Sequence, residues 1–250
     1  MFALLAFLIA ADVGAPCKTD GTLAVSVEAD RVAARDSMMS VRLCVTMPAR
    51  GPRIASLSGR LTVDTAFAKI TSVKAAAKTP FVVNADSSGN VLVAGAAGRA
   101  IAAGAIVTVQ VRLARPGVLP RIDFRLTELN QSNGRSEVTR AKVRGLAARC
   151  IGTQPAVFEV LPPEASADPG EPLDLRINGC GFNATRNTIR FGDVTVPNVR
   201  STGGTQIRVV VPKEYRAAPE VAPMQIGAGV YNVTVDNGRG VSNARPVTLR

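Results

Sequence analysis

An all-β chain, built as two β-sandwich domains in tandem, is predicted by three observations. Apolar residues recur at every second position in one segment after another. Turn residues separate those segments at intervals of roughly 10 to 15 residues, the spacing of a sandwich. No stretch carries its apolar side chains at helical spacing. Composition agrees, since Val, Ala, Leu and Thr are abundant while 250 residues hold no Trp and two Tyr. A hydrophobic content of 46% excludes a disordered chain, and the length suits two ordinary domains.

Met1 to Ala11, MFALLAFLIAA, is an apolar run well short of the roughly 20 residues a membrane-spanning helix needs. It reads as the core of a signal peptide over residues 1–15, cleaved after Ala11 or Ala15. No Lys or Arg precedes the run, so the amino terminus supplies the positive charge or the true start lies upstream. Gly14, Ala15 and Pro16 do not suit a lipoprotein signal ahead of Cys17.

Strands follow in series. Leu23, Val25 and Val27 alternate with polar neighbours, as do Val41, Leu43, Val45 and Met47. IASLSGRLTVD, FAKITSVKA and NVLVAGAAG continue the pattern. Val107, Val109, Val111 and Leu113 then form one apolar face, and Ile122, Phe124 and Leu126 another. In the second half Leu173, Leu175 and Ile177 alternate with Asp174, Arg176 and Asn178. Gly179, Gly181 and the residues up to Asn187 close that run, and Thr188 to Phe191 begin another, so the spacing predicts a β-hairpin.

Two family resemblances follow from these segments. The order of VSVEAD, the ARDS turn, SVRLCVTM, ASLSGRLTVD, GNVLVAG, AIVTVQVRL and RIDFRLTELNQSNGRSEV is similar to bacterial cohesin-like domains over Gly21 to Arg144, with Val63 where that family usually carries an aromatic. The later segments PAVFEVLPPEASADPGEPLDLRINGCGF, IRFGDVTVPNVRSTGGTQIRVVVP and GVYNVTVDNGRGVSNARPVTLR resemble an IPT/TIG domain, a small immunoglobulin-like sandwich. The expected division is a cohesin-like jelly-roll sandwich at residues 16–148 and an IPT/TIG sandwich at 149–250, joined by AARCIGTQPAVF without a flexible spacer. No Asp-rich, dockerin-like calcium repeat accompanies them.

Cys17, Cys44, Cys150 and Cys180 form no C-x-x-C pair and the chain has no His, which argues against zinc and haem. In an exported protein disulfides become the expectation. Cys17 with Cys44 and Cys150 with Cys180 keeps each bridge within one expected domain; Cys17 with Cys150 is the rival, and four buried thiols a further alternative.

Without His there is no Ser-His-Asp, Cys-His or His-metal chemistry. Glu159, Glu164, Asp168, Glu171 and Asp174 gather around a turn, where solvation explains them. GNVLVAGAAG lacks the strand-turn-helix setting of a phosphate loop. No catalytic, cofactor or metal site is therefore expected. Charge is the informative departure: the first 150 residues hold 20 Lys+Arg against 10 Asp+Glu, the last 100 hold 10 against 9. The basic stretch is densest from Arg112 to Arg149. Arg112, Arg121 and Arg125 are expected on the solvent faces of adjacent strands, a face for an anionic polysaccharide, lipid headgroups or an acidic protein. Nucleic acid is disfavoured by the export signal and the scarcity of stacking aromatics.

The sequence thus reads as an exported, non-enzymatic binding, adhesion or scaffold protein of the bacterial surface. The alternatives are a carbohydrate-binding accessory of polysaccharide-degrading machinery, which the cohesin resemblance implies, and a structural part of a secretion or surface assembly.

Overall fold

The computed structural model describes residues 17–77, 79–97, 100–216 and 222–250. The expected signal segment, residues 1–15, lies outside them. The first group of strands is β1 (Ala24–Ala29), β2 (Met38–Thr46), β3 (Ile54–Val63), β4 (Ala68–Ala75), β5 (Phe81–Ala85), β6 (Asn90–Ala96), β7 (Gly104–Leu113), β8 (Val118–Leu119), β9 (Ile122–Gln131), β10 (Lys142–Arg144) and β11 (Arg149–Cys150). A five-stranded sheet in the order β10-β1-β2-β7-β4 faces a four-stranded one in the order β5-β6-β3-β9. The alternating residues meet between them: Val25, Leu43 and Val109 from one sheet pack with Leu57, Leu61 and Leu129 from the other, all fully buried. This is sheet-on-sheet packing driven by the removal of apolar surface from water.

The second group is β12 (Ala156–Leu161), β13 (Glu164–Ala165), β14 (Leu173–Cys180), β15 (Asn187–Phe191), β16 (Val194–Val199), β17 (Ser201–Thr202), β18 (Gln206–Val211), β19 (Glu214–Tyr215), β20 (Met224–Gln225), β21 (Gly229–Asp236) and β22 (Arg245–Leu249). A sheet ordered β12-β14-β18-β17 packs against one ordered β13-β22-β21-β15-β16, with β13 parallel to β22. That is the immunoglobulin-type arrangement, in which the first, second, fifth and fourth strands form one layer and the third and the last two the other. Its own core holds Leu175, Ile177, Ile189, Phe191, Val233 and Val247.

One expected local element is corrected. β14 and β15 are not a hairpin, because β14 pairs with β12 and β18 while β15 pairs with β16 and β21 in the opposite layer. The Gly-rich link is a crossing between sheets. Gly181 turns the chain with φ +71°, where a Cβ would run into the Gln154 carbonyl, and Phe182 drops into the core behind it. Asn187, fully buried, holds the crossing by donating from Nδ2 to the Val199 carbonyl at 2.8 Å and by accepting from the Asn183 amide at 2.8 Å.

Cys17 is bridged to Cys44 and Cys150 to Cys180, with Cα separations of 5.9 and 5.8 Å. The second bridge spans more than one sheet system, because β11 pairs with β8 of the first sandwich while Cys180 ends β14 of the second. Around it Phe67, Val118, Ala156 and Cys180 form a third buried cluster, separate from both main cores. Arg245 of β22 reaches into the same place, pairing with Asp64 at 3.0 Å and lying 5.1 Å from the centre of the Phe67 ring. The short connection is thus packed and cross-linked.

Candidate binding surfaces

The three arginines expected on one face are divided by the fold. Arg112 lies on β7 in the five-stranded sheet, between Met38 and Lys69. Arg125 lies on β9 in the four-stranded sheet, and Arg121 just precedes that strand. Since each points away from the core, Arg112 projects from the opposite side of the sandwich to the other two. Alternation fixes which side of its own sheet a residue takes, but not which sheet its strand joins. Arg121 is occupied locally by Asp123 at 2.7 Å.

Arg125 acquires a different partner. Its direct cross-strand neighbour is Arg60 of β3, which in turn stands opposite Leu92 of β6, and Leu92 opposite Asn84 of β5. Neither guanidinium has an acid within salt-bridge distance among the described residues. Like charges directly opposite each other on a sheet cost stability, so the pair is arranged against the interest of folding alone. The row beside it runs Glu128, Ser58, Ala94, Val82. Val82 is 73% exposed and Leu92 49% exposed, a small apolar patch beside two arginines without a salt bridge among the described residues, of which Arg60 feels Asp86 at longer range. β5 carries half of that patch and had no clear alternation in sequence, since Val82 and Val83 are adjacent.

The rim of this face is ordered by one carboxylate. Glu128 accepts from Ser56 Oγ at 2.6 Å, Ser58 Oγ at 3.1 Å and Asn130 Nδ2 at 2.8 Å. These bonds, that of Ser56 foremost, hold its pKa below the usual value against the opposing effect of burial. Asp86, at the β5–β6 turn, is lowered mainly by the Asn90 backbone amide and side chain. Asp20 is lowered from 3.8 to about 2, first by the Thr22 hydroxyl at 2.6 Å and then by Arg144 at 2.6 Å. All three are depressed in the folded state, so the unfolded chain takes up protons first. Their stabilisation is complete above the ordinary carboxylate range and is lost as pH falls through each lowered pKa, which for Asp20 is about 2. Melting temperature measured between pH 5 and pH 2.5 should fall (roughly the window in which depressed carboxylates titrate), and Asp20→Asn should flatten that slope.

The remaining expected features are placed as follows. Glu159 accepts from Asn178 Nδ2 at 2.9 Å, Glu164 pairs with Arg250 at 2.8 Å, and Asp168 accepts from the Gly170 amide at 2.9 Å. These are separate local contacts rather than a paired-carboxylate site. Among the described residues no group of three or more His, Cys, Asp or Glu is placed to hold a metal ion, and no helix is long and apolar enough to cross a membrane. Tyr231 stacks on Phe191 at 4.8 Å, and both tyrosines pack against the second core. They form no aromatic platform.

No family model matches the chain, and no curated protein matches it. Solved structures do. A non-cellulosomal cohesin from the hyperthermophilic archaeon Archaeoglobus fulgidus matches at 12% identity, covering 49% of this chain and 86% of its own, with a TM-score of 0.39. The sixth cohesin of scaffoldin B from Acetivibrio cellulolyticus, solved in complex with a Cel5 dockerin variant, matches at 17% identity over 52% of this chain and 99% of its own, TM-score 0.40. A type II cohesin dyad from the ScaA scaffoldin of the same organism matches at 10% identity over 89% of this chain and 95% of its own, TM-score 0.42. The chain is therefore similar to cohesin modules at low identity, and its assignment as a β-sandwich protein rests on the strand order described above.

Proposed function

We propose that the chain is an exported, non-enzymatic binding or scaffold protein of the cell surface, whose first sandwich docks an acidic protein partner on the outer face of β5-β6-β3-β9. The observation that carries this is the Arg60–Arg125 pair, without a salt bridge to any acid among the described residues and flanked by Leu92 and Val82. Arginine beside exposed apolar side chains is the composition of an interaction face, and arginines that are cross-strand neighbours suit carboxylates. In this reading residues 1–15 are the export signal, 16–148 a cohesin-like module and 149–250 an IPT/TIG module. The two disulfides favour an oxidising compartment.

The whole mature chain should be retained on immobilised poly-L-glutamate, and retention should fall as salt rises from about 50 mM to about 300 mM, because exposed charges are screened over about 8 Å at physiological ionic strength. Leu92→Glu, a solvent-face change, should lower retention further without altering the melting temperature. Retention indifferent to both would contradict the assignment.

A further inference from the structure

The basic stretch singled out in the sequence contributes to a second place, on the other side of the first sandwich. A cavity of about 350 Å³ lies between β1, the segment after Cys17 and the connection that leads to β11. Arg144 and Arg149, from the end of the basic stretch, meet Lys18, Arg31 and Arg42 there. Arg42 is the unusual member. It sits on β2 directly opposite Glu28 of β1, with its side chain 8% exposed.

Its charge is met but its hydrogen bonds are not. Arg42 Nη2 lies 2.9 Å from Asp30 Oδ1, yet out of line for a hydrogen bond, so Arg42 Nε and Asp30 Oδ1 both remain without a hydrogen-bond partner. A buried donor and a buried acceptor left unmet side by side are rare in folded proteins and call for an explanation. The other acids are already engaged: Asp20 with Arg144 at 2.6 Å, and Glu28 with the Lys18 amide at 3.0 Å and Ser26 Oγ at 3.2 Å. Arg31 and Arg149 have no acid within salt-bridge distance among the described residues.

We infer that this cavity binds one hydroxylated monocarboxylate ring, a hexuronate unit of an acidic polysaccharide. Arg31 and Arg149, both lining the cavity and neither held by an acid within salt-bridge distance among the described residues, supply the charge for a carboxylate. Asp30, 32% exposed just past the end of β1, can keep its 2.9 Å contact with Arg42 through Oδ1 while its other carboxylate oxygen accepts from a ligand hydroxyl. The lining holds five basic residues against the acids Asp20, Glu28 and Asp30, so charge alone admits any small anion, and the ring hydroxyls are what set a hexuronate apart from sulfate or acetate. The volume stands at the low end of small-molecule sites, enough for a sugar ring. This site is independent of the protein-docking face, since it is built on the other sheet.

Titrating the full mature chain with sodium glucuronate, glucose, acetate and sulfate, followed by amide chemical shifts, tests it. Glucuronate should bind saturably and shift β1 and β2 resonances, while glucose, acetate and sulfate bind at least tenfold more weakly. Arg31→Gln with Arg149→Gln, both on exposed side chains, should weaken glucuronate at least tenfold with an unchanged melting temperature. Asp30→Asn should narrow the gap between glucuronate and acetate. Arg60→Gln with Arg125→Gln should leave glucuronate binding intact even if the docking face proves wrong. No saturable glucuronate binding, equal binding of sulfate, or indifference to the Arg31 and Arg149 changes would each overturn the assignment.

Discussion

Phe67→Ala should release the two sandwiches from each other while leaving both folded. The ring is 1% exposed and lies in the turn between β3 and β4, edge-on to Phe158 at 5.4 Å. Arg245, drawn in by Asp64, covers its face. Removing a fully buried phenyl ring costs about 3 to 5 kcal/mol through lost transfer energy and the cavity left behind. Here that loss falls on the small cluster between the sandwiches and on no residue of either main core. Calorimetry should therefore show one transition in the parent and two in the variant. Small-angle scattering should show a larger radius of gyration, with the β-sheet circular dichroism preserved. A single transition with unchanged scattering would mean that the connection, and not Phe67, sets the geometry.

Breaking the Cys150–Cys180 bridge as a Ser pair is expected to cost about as much by a different route. The bridge closes a loop of 30 residues. In the chain-entropy model that closure is worth about 3 to 4 kcal/mol, which for a chain of this size lowers the melting temperature by roughly 10 °C. Because β11 is paired to β8 in the first sandwich, the loss should also appear as faster amide exchange along Val118 and Leu119, well outside the second sandwich. Denaturant unfolding checks the magnitude. A change under about 1 kcal/mol would show that packing around Phe67 and Ala156 already holds the junction, since exposed or redundant changes rarely exceed that.

The sandwich class was legible because the apolar period of two survives in nearly every strand, from Val25 and Val27 to Val233 and Val235. The cysteine pairing was legible because each bridge joins the head of a segment to the second long strand after it. Contacts that depend on which sheet a strand enters were not. Arg112 and Arg125 looked alike in sequence, yet β7 and β9 enter different layers. The hairpin expected at Gly181 failed for the same reason, since a Gly-rich turn can reverse a chain within a sheet or carry it across to the other. Arg60 escaped notice because its significance comes from Arg125, its cross-strand neighbour though distant along the chain, and charge density along the sequence does not register such a pair. Arg42 was hidden likewise: it alternates as if solvent-facing but is covered by the segment that the Cys17–Cys44 bridge pins down.

The claim that binding resides on one face, and not in net charge, is tested most directly by two variants that remove the same charge from opposite sides. Arg60→Gln with Arg125→Gln strips the face of β5-β6-β3-β9; Lys69→Gln with Arg112→Gln strips an equal charge from the five-stranded sheet. With the whole chain binding poly-L-glutamate at about 50 mM salt, where long-range steering is strong, the first variant should raise the dissociation constant at least tenfold, about 1.4 kcal/mol. The second should change it by about twofold or less, as expected for exposed charges outside the contact. Equal weakening by both variants would contradict the account, leaving the basic balance as a property of composition alone.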